Sequence, residues 1–299
     1  MMKTQKSFSG QSTTGILYLV ATPIGNLEDM TIRAIRLMKE ADYIAAEDTR
    51  NTKRLCNYFE IDTPLISYHE HNLEYGGDKL LELLRAGKNI ALVSDAGLPC
   101  ISDPGADIVA KAVAENLSVV PIPGANAALS ALISSGLSTL SFTFYGFLPR
   151  QKKDRKAALE AIQYHKETMI FYEAPHRLKD TLRDAQQILG SSRKVVLARE
   201  VTKKFEEFVR GNLEEAVIWA ENEEIRGEFV LVFAGSIEEN PLNSEKWWMD
   251  LSIIDHVDQV IEKQSLTSKE AIKVVAVERD LPKRNVYQEY HIQDEKNPE

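Results

Sequence analysis

Between residues 16 and 234, short runs of β-branched and apolar residues alternate with stretches whose apolar positions recur at helical spacing. That is the pattern of an α/β chain rather than an all-α or all-β one. Strands are expected at 16–21, 43–46, 65–68, 90–93, 118–121, 144–147, 169–172, 195–198 and 229–233. Most are apolar at every position, as strands covered on both faces are. Leu178, Leu182, Ala185 and Ile188 share one helical face, and Gly190 follows them as a C-terminal cap. FLPRQKK at 147–153 reads as a connection between two strand-rich halves, and polar EENPLN at 238–243, with Pro241, ends the strand pattern. Beyond it Thr267 and Glu270 have capping-box spacing, Pro282 breaks one helix, and Lys283 and Arg284 open another that ends near His291. The expected organisation is a flexible tail at 1–15, α/β domains at 16–148 and 149–236, and a helical appendage at 237–299.

Composition narrows the class. No apolar run approaches the roughly 20 residues of a membrane helix, so no membrane partner is expected. Cys56 and Cys100 are the only cysteines, too few for a disulfide framework or a four-ligand zinc site, which points to the reducing cytoplasm. Lys plus Arg number 36 against 45 Asp plus Glu, a net charge of −9, so a general basic coat for nucleic acid is absent and any such contact is local. RQKKDRK at 150–156 is the place for one: Arg150, Lys152, Lys153, Arg155 and Lys156 against Asp154 give a local +4. The bland reading of that run is a solvated linker and helix start. Lys203 and Lys204 form a smaller basic cluster, and Trp247 and Trp248 are expected to pack the appendage.

Chemistry concentrates in the loops after the strands. SDAGLPCISDPG at 94–105 leaves an apolar strand and enters a helix near Ala106, the position at which open sheets bind ligands. Gly97 removes a Cβ that would keep a ligand from the backbone, and Asp95 and Asp103 offer acceptors. The structural alternative is a tight turn with Asp103-Pro104 starting the helix. PIPGANAA at 121–128 is a second small-residue loop beside it, where close packing is the competing reading. Neither loop matches the dinucleotide fingerprint or the phosphate loop. Glu47 and Asp48 follow the apolar run YIAA, with Arg50 and Arg54 one helical turn apart. Glu47 and Asp48 are acid–base candidates, with Arg50 and Arg54 able to hold phosphate or balance charge; the alternative is a structural ion-pair cluster. Glu173 and His176 also follow a strand, and His69 with His71 forms a His-x-His pair without further ligands nearby, so no metal is expected.

LYLVATPIGNLEDMT (17–31), AAEDTR (45–50), SDAGLPCISDPG, PIPGANA, FYEAPHR (171–177) and RGEFVLV (226–232) occur in this order. Together they resemble the tetrapyrrole-methylase superfamily, and within it the branch that methylates the 2′-hydroxyl of a cytidine in 16S rRNA of the small ribosomal subunit. The resemblance implies two α/β domains with S-adenosylmethionine in the cleft between them, a homodimer, and a helix-turn-helix-like appendage. Carried over by motif, Pro23, Asp95, Ala96, Gly97, Asn126 and Ala127 line the cofactor from the first domain, and Tyr172, Gly227, Glu228 and Phe229 close it from the second. Porphyrin-precursor methylases have GAGPGDP where ATPIGN stands here, which shifts the expected substrate towards RNA. A tetrapyrrole-precursor methylase and a non-catalytic ribosome-assembly protein remain the alternatives.

Overall fold

The computed structural model describes residues 2, 4–7, 13–69, 73–103, 105–238, 248–264 and 266–292. His71, Pro104, Pro241 and Trp247, which entered the sequence reading, lie outside them, as does part of the 1–15 tail. The first sheet contains β1 (Ile16–Val20), β2 (Tyr43–Ala46), β3 (Leu65–Ser67), β4 (Ile90–Val93) and β5 (Ser118–Ile122) in the order β3-β2-β4-β1-β5. All its pairings are parallel. Helices cover both faces: α1 (Ile32–Glu40) and α2 (Thr49–Tyr58) supply Ala34, Met38 and Cys56 to one core. On the other face α3 (Leu73–Arg85) and α4 (Ala106–Ala114) supply Leu80, Leu84, Ile108 and Ala112. Apolar strands such as IALV of β4, buried at every position, are what two covered faces require.

The second sheet runs β6-β7-β10-β8-β9, built from β6 (Phe142–Phe147), β7 (Thr168–Glu173), β8 (Lys194–Arg199), β9 (Glu207–Asn212) and β10 (Phe229–Phe233). Only β6 with β7 is parallel; the other pairs are antiparallel. One face packs on α6 (Lys152–Ala161), α7 (Leu178–Leu189) and α8 (Leu213–Asn222). Against the other lies α5 (Ala127–Ser135), which follows β5 in sequence yet sets Ala128, Ala131 and Leu132 on Ile170, Val196 and Val232 of the second sheet. Its small residues let helix and sheet approach closely, and that joint fixes the cleft between the two sheets. The strand at the end of the expected first domain thus belongs to the second sheet. Phe142 pairs with Thr168 and Phe147 with Tyr172, so the chain changes sheets ahead of β6 and not at 148/149.

Residues 238–299 form a separate compact unit, beginning one residue after the expected start of the appendage. Its helices are α9 (Ile253–Gln264), α10 (Ser268–Glu278), opened by the Thr267–Glu270 capping box, and α11 (Lys283–Ile292). Val257, Val260, Ile272, Val275 and Val286 make its core. No helix among the described residues is long and apolar enough to cross a membrane.

His256 is fully buried within this unit, stacked on Trp248 at 5.1 Å between ring centroids, with Nε2 2.8 Å from Glu278 Oε2. Its Nδ1 accepts from Arg279 Nε at 3.1 Å, so a second ring proton would meet the guanidinium. Burial first, then the charges of Arg279 and Lys263, push its pKa down to about 4 from 6.5. A histidine held neutral stabilises the fold above its unfolded pKa and withdraws that support as pH falls from about 6.5 towards 4. Burial raises the Glu278 carboxyl, which acts in the opposite sense. The comparison with His256→Gln isolates the histidine: between pH 7 and pH 4.5 the wild-type unit is expected to lose more stability than the variant, by on the order of 3 kcal/mol at full effect. Denaturant unfolding followed by tryptophan fluorescence at the two pH values measures it, and equal losses would refute a neutral His256.

Candidate active site

At the carboxyl ends of β1, β4 and β5 the chain leaves the first sheet in three loops that lock together. Thr22 N donates to Gly97 O at 2.9 Å and Gly97 N to Thr22 O at 3.1 Å, a single antiparallel bridge between the ATPIGN and SDAG loops. The Thr22 hydroxyl donates to Ser94 O and the Ser94 hydroxyl to Gly97 O. Gly97 has φ +84°, and a Cβ there would stand 3.3 Å from Ile24 Cγ2 and 3.5 Å from Ala125 O. Asn126 caps α5 by accepting from Leu129 N at 2.9 Å.

These loops form one wall of a cavity of about 490 Å³, within the usual range for small-molecule sites. Ala96, Gly97, Asn126 and Ala127 line it from the first half and Tyr172, Glu228 and Phe229 from the second, so the structure brings these seven of the expected cofactor residues to one cavity. Tyr172 lies edge-on to Phe144 at 4.9 Å and Phe147 at 5.6 Å, and its hydroxyl reaches the backbone of Ala128; burial raises its pKa. Gly227 is not in the lining: its φ of +80° and missing side chain make room for Glu200. Glu200 in turn pairs with Lys203 at 2.9 Å, and Lys203 reaches Glu228 at 2.8 Å. Burial works against the Lys203 charge, but its bonds to Glu228 and Glu200 outweigh it and hold the ammonium above its ordinary value. Lys203 is therefore an internal tie across the cleft mouth and not a free basic cluster with Lys204. Its stem occupies the space where a Gly25 side chain would go, joining the second half to the first. Ile24, Leu98, Phe147, Val201 and Val230 also line the cavity, and sequence reasoning missed them because isolated apolar residues in loops carry no motif.

Pro23 and Asp95 face a second cavity of about 350 Å³ on the other side of the ATPIGN loop, walled by α2 through Asn51, Arg54 and Tyr58. Asp95 accepts there from Asp48 N and Asn51 Nδ2, both at 3.3 Å. Asp48 caps α2 through Arg50 N at 2.8 Å and pairs with the Arg50 guanidinium at 3.1 Å, which holds its carboxyl below the usual range. Glu47 is exposed on the turn before it. Asp103 is taken up by the turn, accepting from Gly105 N at 3.0 Å, and burial raises its pKa. Glu173 lies at the cavity but its carboxylate is buried, bonded to the Thr181 hydroxyl at 2.6 Å and Ala174 N at 2.9 Å, so it is structural.

The basic run divides. Arg155 is 5% exposed and its guanidinium bonds Asp184 Oδ2 at 2.8 and 2.6 Å, joining α6 to α7; it is a core ion pair and not a phosphate contact. Lys156 donates to Gln187 Oε1 and lies 3.8 Å from Asp184. Arg150, Lys152 and Lys153 stay exposed at the start of α6.

Fold and cleft together define a two-lobed α/β methyltransferase. The sequence model of the tetrapyrrole (corrin/porphyrin) methylases matches residues 16–217, and the chain belongs to that family. Its fold is that of cobalt precorrin-4 methyltransferase (TM-score 0.56, 16% identity, 73% of this chain and 94% of that one). It is also that of diphthine synthase (TM-score 0.58, 14% identity, 75% and 92%). Uroporphyrin-III C-methyltransferase from Thermus thermophilus, solved with S-adenosylhomocysteine, is a third likeness (TM-score 0.53, 19% identity, 74% and 97%). Among curated relatives, the protein called ribosomal RNA small subunit methyltransferase I is 59% identical in Bacillus subtilis, over 98% of this chain and 99% of that one. The protein of the same name in Halalkalibacterium halodurans is 58% identical over 97% and 99%. The chain is thus a methyltransferase whose cofactor is S-adenosylmethionine. The residues present suit that ligand: Ile24, Leu98 and Val230 offer apolar surface to a purine, Gly97 leaves the backbone open, and two carboxylates against one ammonium favour a cation.

Proposed function

We propose that this enzyme transfers a methyl group from S-adenosylmethionine to the 2′-hydroxyl of a cytidine in 16S rRNA of the small ribosomal subunit. The observation that carries this reading is the extent of likeness. The rRNA methyltransferases match 97–98% of the chain, through residues 238–299 as well as both sheets, whereas the tetrapyrrole and diphthine enzymes match 73–75% of it. The enzyme acts in the cytoplasm as a homodimer, and the exposed apolar Ile133 and Leu140 are surface that a second copy would cover.

When bound, the cofactor supplies a methyl group on a cationic sulfur. Ala96, Gly97, Asn126, Ala127, Tyr172, Glu228 and Phe229 hold it, while Pro23 and Gly227 shape the loops behind that wall. Holding donor and acceptor in line supplies much of the rate. Asp95 lines the second cavity and is the chain neighbour of Ala96, which lines the first, so a ribose seated in the second cavity would bring its hydroxyl to this carboxylate to lose its proton. Its two bonds are long, whereas Asp48 is tied to Arg50; Asp95 is therefore the proton acceptor, and Asp48, Arg50 and Glu47 shape the corner that carries it. Arg150, Lys152 and Lys153 give the RNA an outer contact.

Incubation of small-subunit particles with methyl-labelled cofactor is expected to place label in 16S rRNA at a linkage that resists alkali, the mark of a blocked 2′-oxygen. Label only in a porphyrinogen, or in no acceptor, would overturn the reading. Asp95→Asn is expected to lower kcat about a hundredfold while cofactor affinity by calorimetry stays within a few-fold. A matching loss of cofactor affinity would move Asp95 to the cofactor instead.

A further inference from the structure

The exposed face of α2 is the most basic helix surface that the reaction has not used. In Thr49–Tyr58 the charged residues are Arg50, Lys53 and Arg54, with no acid among them, in a chain of net charge −9. All three are exposed. Only Arg50 has a carboxylate partner, Asp48; among the described residues Lys53 and Arg54 make no salt bridge. Tyr58, one turn beyond Arg54 on the same face, leaves 64% of its surface to solvent.

That face borders the 350 Å³ cavity beside Asp95, to which Asn51, Arg54 and Tyr58 contribute. The hydroxyls of Thr22 and Ser94 are taken up by backbone carbonyls, and Asn51, Arg54 and Asp95 are among the polar side chains that remain in its lining, with Thr52 and Tyr58. Asn51 Nδ2 donates to Asp95, which leaves Oδ1 to accept from an exocyclic amine. Cations along a helix, an aromatic ring at its end and a polar pocket between them are the parts with which proteins hold an unstacked strand. Such a pocket suits methylation of a ribose, because a base held in it fixes the attached hydroxyl relative to the donor.

We propose that α2 is the RNA-docking element: the strand's phosphates lie on Lys53 and Arg54, the acceptor base enters the cavity against Tyr58 with its amine on Asn51, and the ribose is thereby delivered to Asp95. This rests on the rRNA reading above and adds where the strand binds. The position explains how an acidic protein takes an anionic substrate, since the local charge at the cavity mouth and not the sum over the chain sets the attraction.

The test measures binding and transfer separately on the full-length enzyme, using a 16S rRNA fragment and small-subunit particles. Lys53→Ala with Arg54→Ala is expected to weaken fragment binding at least tenfold and to flatten its salt dependence by about 1.4, at roughly 0.7 per phosphate contact on a single strand. Tyr58→Ala is expected to raise KM for the particle roughly ten- to a hundredfold, with Tyr58→Phe restoring it, because stacking needs the ring and not the hydroxyl. Cofactor affinity stays unchanged in each. Unaltered RNA affinity and salt slope in the double variant, or a loss of cofactor affinity in the Tyr58 variant, would overturn the proposal. A wild-type enzyme that binds RNA through α2 yet transfers no label would defeat the reading of the reaction and leave the docking surface standing.

Discussion

Gly97→Val is expected to weaken S-adenosylmethionine binding about a hundredfold or more while leaving the two sheets folded. Gly97 has φ +84°, a conformation that a β-branched residue adopts only as an outlier, at a cost of about 1–3 kcal/mol. The loop cannot relax by turning away, because Gly97 exchanges both backbone hydrogen bonds with Thr22 and also accepts from Ser94. The new side chain would start 3.3 Å from Ile24 and extend among groups that line the 490 Å³ cavity. Strain and lost volume both act on the bound state. Titration calorimetry reads the affinity and thermal unfolding reads the fold. Gly97→Ala, whose single methyl tolerates the left-handed region at about 1–2 kcal/mol, should fall between wild type and valine. Unchanged affinity in the valine variant would mean that the cofactor lies elsewhere.

The parts of this molecule that were legible from sequence are those whose signal is local. Strands buried on both faces, such as IALV and FVLVF, announce themselves by apolar runs. The capping box at Thr267 and the glycine after α7 mark helix ends by residues that satisfy the backbone there. β9 was missed because EFVRGN is an edge strand with polar, partly exposed positions and no apolar run. The membership of β6 was misread because pairing is a tertiary choice: nothing within FTFYGF says which sheet it joins. The same limit applies to charge. RQKKDRK and TRNTKRLCNY both carry an excess of Lys and Arg, but only packing shows that Arg155 of the first is enclosed with Asp184 while Lys53 and Arg54 of the second stay in solvent. At the site, glycine loops gave the first wall of the cleft. The motifs FYEAPHR and RGEF gave part of the second, whereas Ile24, Leu98, Val201 and Val230 face the cavity only because one half closes on the other.

Arg155→Ala is expected to destabilise the two-sheet body by about 3–5 kcal/mol without changing the RNA affinity of the folded enzyme. Arg155 and Asp184 each leave 6% of their side-chain surface exposed, and the guanidinium also donates to Arg150 O at 3.3 Å, holding the start of α6 to its own first turn. With the arginine gone, Asp184 keeps only Lys156 at 3.8 Å as a charged neighbour, so a nearly buried carboxylate loses most of its compensation. The penalty comes from that stranded charge rather than from the loss of attraction as such. Arg155→Met combined with Asp184→Leu should therefore be more stable than Arg155→Ala alone, because neither charge then remains to be buried. Chemical denaturation measures both variants, and filter binding at several salt concentrations measures the RNA affinity. A change in salt slope for Arg155→Ala under conditions where it is folded would return this residue to the phosphate-binding surface; an Arg155→Ala enzyme as stable as wild type would show that α6 and α7 are held by their apolar contacts alone.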